Sequence, residues 1–328
     1  MTWQDDKGLD ANMPCVSVII ATRNRPHDVM CAVQSVARGI EQVFEIVVVD
    51  QSDDDATRVA LYEACHEDGR IRYVRDTGRG AARARNLGLR AARADIMAVI
   101  DDDCLAPPSW LADILAAFQR YPDVELLFGR VEAPPHDYRR EVIPVLLLSQ
   151  RQRRVERSLR GRGGRLEGIS ANMAMRSSLF VALDGFDPRF GVGGERWSAE
   201  DFELHYRALR LGKQVLIEPG IAVLHLGKRK MEDAWELWRR DALGCGAVAA
   251  HVARAGSPLV AAHLWWWNIG RVLWNGAIHA ITLRFPTGLR LGWWMAHYFR
   301  EGFRQEWWAG ESEAAAHHEG GLVRRGSR

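Results

Sequence analysis

Three short apolar, β-branched runs constrain this chain more than any other feature: Cys15-Val-Ser-Val-Ile-Ile20, Ile46-Val-Val-Val-Asp50 and Ile96-Met-Ala-Val-Ile100. Each is continuous, not alternating. That is the pattern of a strand buried on both faces of a parallel sheet. Helical patterns lie between the runs. Pro26 suits a first turn, and Val29, Val33 and Val36 follow at helical spacing. Ser109 is placed to cap a helix with Leu111, Ile114, Leu115 and Phe118 on one face. Strands alternating with helices predict βαβ units and an α/β fold. With 328 residues and 47% hydrophobic content, the chain can fill one large domain and an appendage.

Composition narrows the function. A formal net charge of +2 gives no global field for nucleic acid. The five cysteines are scattered and form no Cys-x-x-Cys pair. This excludes a disulfide framework or a cysteine zinc site and fits a reducing compartment. Residues 1–10 lack the basic flank and apolar core of a signal peptide. The expectation is a cytoplasmic protein with a disordered 1–13 and a main domain over 14–230.

Two stretches stand apart. From Arg139 to Arg165 arginines recur, ending near three glycines. They read either as a solvated helix face followed by a loop, or as a mobile loop that meets phosphate or anionic lipid. Beyond residue 230 lie ten of the 13 tryptophans. The apolar stretch from Pro258 to Thr282 has the roughly 20 residues of a membrane span, but His263, Asn268, Arg271, Asn275 and His279 interrupt it. Region 231–310 therefore has two readings. It makes peripheral contact with the inner face of the cytoplasmic membrane, or it is a helical appendage that packs on the main domain or builds a homodimer. The tail, 311–328, is polar and expected to be disordered.

The strongest chemical signal is Asp101-Asp-Asp103, directly after the third run. Three adjacent carboxylates repel unless a cation offsets them. Hard oxygen ligands select Mg²⁺ or Mn²⁺, which can bridge a diphosphate. The plainer alternative is a solvated turn. A second acidic cluster, Asp50-Gln-Ser-Asp-Asp-Asp55, also ends a strand. Ligands of open parallel sheets bind at those ends. Thr77-Gly-Arg-Gly-Ala-Ala-Arg-Ala-Arg-Asn-Leu-Gly88 opens a small-residue helix whose Arg83 and Arg85 can meet phosphate. In Trp197-Ser-Ala-Glu-Asp201, Ser198 can cap a helix with Glu200 and Asp201 in its first turn. Those carboxylates either favour the helix dipole or take a proton from a hydroxyl. His225 lies in an apolar strand, where a lone histidine is usually a core residue.

Taken in order, these pieces resemble the family 2 glycosyltransferases of GT-A fold. The matching segments are Val18-Ile-Ile-Ala-Thr-Arg-Asn-Arg-Pro26, Val47-Val-Val-Asp50, Ala84-Arg-Asn-Leu-Gly88, Asp101 to Asp103, Asn172-Met-Ala-Met-Arg176 with Gly185-Phe-Asp187, and Glu200-Asp201. They span roughly residues 14 to 228. The resemblance implies a Rossmann-like mixed sheet flanked by helices, with a C-terminal helical appendage. It implies an inverting transfer from a nucleotide sugar, UDP by default, to a hydroxyl of a glycan or lipid-linked acceptor, as in cell-surface polysaccharide or glycolipid synthesis. It places Thr22, Arg23, Asp50, Asp53, Asp55, Arg79, Arg85, Asp101 and Asp102 at the donor. Asp103 and His225 would hold the metal. Asp201 would be the base with Glu200 beside it, and Asn172, Arg176 and Trp197 would meet the acceptor. The family usually has a glycine-serine pair after its first aspartate. Here that run reads Gln51-Ser-Asp-Asp-Asp55, which leaves Asp53 and Asp55 as rivals for one role. A nucleotidyltransferase would also use strand-end aspartates, but it usually has a glycine-rich basic loop where this chain has Ala21 to Pro26. A nucleotide-binding module without catalysis is the other alternative.

Overall fold

The computed structural model describes residues 13–137, 140–159, 166–270 and 292–309. Residues 1–12 and 311–328 of the expected disordered ends, and Arg139, Arg160, Arg162, Arg165, Arg271, Trp274, Asn275 and His279, lie outside them. The described residues fall into two compact units. The first holds those up to Ala234 other than Arg196–Ala199. The second holds Arg196–Ala199 and those from Trp235 onward.

The first unit opens with three β-α pairs. They are β1 (Val16–Thr22) and α1 (Pro26–Ala37), β2 (Phe44–Asp50) and α2 (Ala56–Cys65), and β3 (Ile71–Arg75) and α3 (Ala81–Ala91). Then come β4 (Ile96–Ile100), β5 (Cys104–Leu105), α4 (Trp110–Arg120), β6 (Val124–Glu132), β7 (Glu141–Val142) and β8 (Arg154–Glu156). The unit continues with β9 (Asn172–Arg176), α5 (Ser177–Leu183), α6 (Glu200–Arg210), β10 (Gln214–His225) and β11 (Arg229–Lys230). The main sheet runs β3-β2-β1-β4-β9-β6-β10-β5, with β8 also paired to β10. Strands β3, β2, β1 and β4 are parallel. Strand β9 runs against both its neighbours, so the sheet is mixed.

The three apolar runs become β1, β2 and β4, and every residue of β2 and β4 is buried. The continuous pattern has a direct cause. Ile46 and Val48 pack on one face with Val29, Val33 and Val36 of α1, while Val47 and Val49 pack on the other with Ala84 of α3. Two sequence details came out differently. Ser109 stands at the head of α4 but makes no side-chain cap bond. Ser198 donates instead to Asp241 at 2.9 Å within the second unit.

The topology places the crevice. From β1 the chain moves outward through β2 to β3, then returns to put β4 on the other side of β1. The strand order reverses between β1 and β4, and ligands of open α/β sheets bind outside the strand ends at such a point.

Where it is described, the basic segment holds one short 3-10 turn, Gln150–Gln152 with exposed Arg151, and strand β8, in place of a long helix. Arg154 lies in β8 and pairs with Glu156 and Glu167 at 2.7 Å each. Arg153 pairs with Glu218 at 2.8 Å. The Arg154 charge is spent within the fold, while Arg153 pairs at the surface.

The second unit is helical. It contains most of α7 (Met231–Arg254), then α8 (Pro258–Trp265), a π-helical turn at Trp266–Gly270 and a helix over 292–309. No helix among the described residues is long and apolar enough to cross a membrane. Glu306, buried, accepts from Arg196 at 2.6 Å and Arg254 at 2.9 Å. Trp235 packs edge-on against Trp238 and Trp294, whereas Trp293 and Trp308 are 70% and 59% exposed.

Candidate active site

The site is built at the carboxyl ends of β1, β2 and β4, with β10 and α6 contributing from further along the chain. The three adjacent aspartates after β4 have different partners. Asp101 Oδ1 accepts from Arg85 Nη2 at 2.8 Å. Asp102 accepts from Thr22 Oγ1 at 2.7 Å and from Arg25 Nη1 at 3.0 Å. Asp103 accepts from the same Arg25 nitrogen at 3.0 Å, and its other oxygen lies 3.3 Å from His225 Nε2. Two arginines thus supply counter-charge to the triplet. Burial nevertheless pushes the Asp102 carboxyl up to about 6, with Arg25 opposing and Asp103 adding to the rise. Burial raises Asp103 as well, against the pull of His225.

Asp103 and His225 fit a divalent cation. Ligand atoms of Asp103, Cys104 and His225 lie within 4.8 Å of one another. An imidazole nitrogen and a carboxylate oxygen suit Mn²⁺ better than the all-oxygen preference of Mg²⁺. Burial pushes the Cys104 thiol up, so it stays protonated and is a poor ligand. The backbone leaves room here too. A Cβ on Gly227 would run into Asp103 Oδ2 and His225 Cε1.

Arg85 joins two parts of the site. It stands on α3, 6% exposed, and its other terminal nitrogen donates to Glu200 Oε1 at 2.6 Å. One guanidinium therefore links a strand-end aspartate to the first turn of α6. The two carboxylates raise its pKa against the effect of burial. Next to Glu200, Asp201 accepts from the Ser170 N–H at 3.3 Å and from the Phe202 N–H at 2.9 Å. The residue keeps some exposed surface, but its carboxyl is packed among protein atoms. Burial pushes it up to about 8, the Glu200 carboxylate adds to the rise, and Arg85 opposes it.

The side where the resemblance would seat the nucleoside is a cluster of exposed charges around Asp53. Arg23 Nη2 lies 3.0 Å from Asp53 Oδ2, and Arg79 Nη2 lies 3.3 Å from Oδ1. Asn24 and Asp53 exchange two hydrogen bonds of 2.8 Å. The hydrogen bonds from Asn24 and Arg23 hold the Asp53 carboxyl below its usual range. Asp55 pairs instead with Arg58 of its own helix at 3.1 Å.

Three expected site residues are placed otherwise. Asp50 is fully buried and accepts from Ser52 N–H, Tyr73 OH and Arg75 at 2.8, 2.7 and 3.0 Å, so it ties down the turn after β2. Asn172 is also fully buried. It accepts from Trp110 Nε1 and donates to the carbonyls of Arg130 and Ile221, which leaves its amide no hydrogen free for an acceptor. Arg176 sits at the far end of β9, level with Ile96, and donates to Val124 O at 3.1 Å. In this arrangement both side chains are engaged within the fold. Trp197 belongs to the second unit.

The sequence reading missed three contributors. Arg25 sits in a quoted motif but was given no role. Asn86 clasps Phe186 through two bonds of 2.7 and 2.8 Å, so two separate motif segments hold each other. His205 is fully buried between Glu167 O and Glu156, both at 2.8 Å. It fixes α6 against the segment that brings the Ser170 N–H to Asp201. Helical spacing gave no sign of it.

A cavity of 570 Å³ lies within the second unit. Alanines and aromatics line it, with Arg300 as its one charged residue. That lining offers no acid–base pair, which sets it apart from the strand-end crevice.

Comparison with known proteins bears on the family and the fold. The model of "Glycosyl transferase family 2" matches residues 17–183. Validoxylamine A glucosyltransferase of Streptomyces hygroscopicus subsp. jinggangensis is 28% identical over 227 residues, 61% of this chain and 52% of that protein. Glucosyl-dolichyl phosphate glucuronosyltransferase of Haloferax volcanii is 26% identical over 188 residues, 55% and 58% of the two chains. The chain spans about half the length of the curated relatives it matches. Among solved structures, a mannosyltransferase of Pyrobaculum calidifontis in complex with GDP-Man and Mn²⁺ aligns with a TM-score of 0.60 at 19% identity, over 90% of this chain and 88% of that one. S. aureus TarS 1–349 with UDP-GlcNAc gives 0.52 at 17% identity, over 91% and 92%. These likenesses establish the GT-A fold.

Proposed function

The chain belongs to glycosyl transferase family 2, and on that footing we propose that it moves a sugar from a nucleoside diphosphate sugar to an acceptor hydroxyl with inversion. The Arg85 bridge carries this reading. It links Asp101 on the donor side to Glu200 and the neighbouring Asp201. Donor and base therefore belong to one connected site.

In this reading Arg23, Asp53 and Arg79 receive the nucleoside, and Thr22 orients Asp102 beneath it. Asp53 takes the role for which Asp55 was the rival, because it pairs across the crevice and Asp55 does not. Asp103 and His225 hold the divalent cation. When bound, that cation offsets charge developing on the departing diphosphate. Asp201 accepts the proton of the attacking hydroxyl, while Glu200 and Arg85 position it. Attack comes from the face opposite the nucleotide, so no covalent bond to the protein forms.

UDP is the proposed nucleotide, and the proposed acceptor is a glycan or a lipid-linked sugar. The dolichyl phosphate in the name of the Haloferax relative and the exposed tryptophans of the second unit support the lipid-linked case.

Asp201→Asn tests the base. The variant is expected to fold and to bind UDP within about threefold of wild type, while transfer falls about 10³-fold, in the range for loss of a general base. Transfer at the wild-type rate would remove Asp201 from the mechanism.

A further inference from the structure

Arg25 stands at the head of α1 and reaches into the strand-end aspartates. The two oxygens of Asp103 are divided: Oδ2 faces Arg25 at 3.0 Å and Oδ1 faces His225 at 3.3 Å. The arginine side chain is 42% exposed, so it can leave without stranding a buried charge. If it leaves, Asp102 still has the Thr22 hydroxyl at 2.7 Å.

We propose that Arg25 is a resident counter-charge that a divalent cation displaces from Asp103, and that the diphosphate of the donor then receives. The proposal rests on the cation reading given above. A guanidinium and a divalent cation draw on the same Asp103 carboxylate from its two oxygens and repel each other at that range, so they compete. With Arg25 in place, three adjacent carboxylates are tolerable without a metal, because Arg25 and Arg85 together offset them. The consequence is weak binding of the cation by itself. A diphosphate changes the balance. It brings negative charge and offers the guanidinium a forked acceptor. Cation and nucleotide then bind as a linked pair, by more than their direct contact supplies.

The experiment titrates the full chain with Mn²⁺ and reads free Mn²⁺ by electron paramagnetic resonance, without nucleotide and with UDP or GDP. Wild type is compared with Arg25→Gln and Arg25→Lys, and thermal melts confirm folding. Without nucleotide, Arg25→Gln is expected to bind Mn²⁺ about tenfold tighter than wild type, within the usual span of coupled sites. The factor by which nucleotide tightens Mn²⁺ shrinks in this variant. Arg25→Lys keeps the charge without the fork and shows a smaller gain in the same direction. This second variant carries the test if the glutamine form does not fold. The arm without nucleotide decides the displacement alone. Unchanged or weaker Mn²⁺ affinity in the folded variants overturns the proposal and leaves the cation reading intact. Failure of all three proteins to bind Mn²⁺, with or without nucleotide, overturns both.

Discussion

The strand-end crevice and the helical second unit are held together differently, although the second unit also buries one charge cluster, at Glu306. In the crevice, charge is packed against charge from distant parts of the chain. Arg85 meets Glu200 across 115 residues, and Arg25 meets Asp103 across 78. In the second unit, backbones meet directly. A Cβ on Gly246 would strike Phe299 O, and one on Gly302 would strike Leu243 O, so α7 and the helix over 292–309 touch through glycines. The first arrangement aims functional groups. The second presses helices together and leaves large aromatics at the surface. A single substitution should therefore affect chemistry in one unit and surface adhesion in the other.

The largest effect is expected at Arg85. Arg85→Ala strands Glu200, 7% exposed, without its counter-ion. Removing one partner of a buried pair costs about 3–5 kcal/mol, measurable by urea unfolding. Arg85→Lys is the sharper probe. It keeps the charge, but one ammonium cannot fork between Asp101 and Glu200. It should fold, bind nucleoside diphosphate within about threefold, and lose about 100-fold in transfer, as expected of a displaced base. Wild-type transfer by the lysine variant would reduce the bridge to a structural pair and blunt the contrast between the units.

The same contrast explains what could be read from the sequence. β1, β2 and β4 were legible because strands covered on both faces read as unbroken apolar runs. Asp103 and His225 were legible as a pair only through the family's order. The structure brings them to 3.3 Å, though 122 residues separate them. The roles of Asp50, Asn172 and Arg176 were not legible. A strand-end aspartate that faces a ligand and one that ties a turn look alike in sequence. Tyr73 and Arg75, both on β3, make the difference. Arg25 was hidden in the same way, because a charge beside a proline has no visible partner until α1 is set against β4. In the second unit the tryptophan count announced an unusual surface but could not tell the packed Trp294 from the exposed Trp293.

A second break in the comparison comes from pH. With the Asp201 carboxyl near 8, the base holds a proton at neutral pH. Transfer should rise with pH up to about 8, by up to tenfold per unit below it, and then level. The sign for stability is opposite. The native state keeps a proton that the unfolded chain releases in the ordinary carboxylate range. The stability tied to that proton is complete below the unfolded value and is lost as pH rises through about 8. Asp201→Asn should therefore lose less stability than wild type between pH 6 and 9 in urea melts. A transfer rate flat over that range would return the base to the ordinary carboxylate range and undo this reading of its burial.

The smallest effect belongs to the second unit. Trp293 and Trp308 lie on the helix over 292–309, both largely exposed, although burial of such rings is strongly favoured. Tryptophans of this kind favour a membrane–water boundary. At 70% and 59% exposure they bury less of their surface than the half-buried Trp294, so replacing them removes little buried area. We expect the full chain to float with anionic lipid vesicles. The double variant Trp293→Ser, Trp308→Ser should float roughly three- to tenfold less while its thermal melt and its UDP binding stay at wild-type values. Equal flotation of the two proteins would assign these side chains to a protein partner or a second copy. Loss of UDP binding in the double variant would end the division of labour, because surface rings of the second unit would then matter to the crevice of the first.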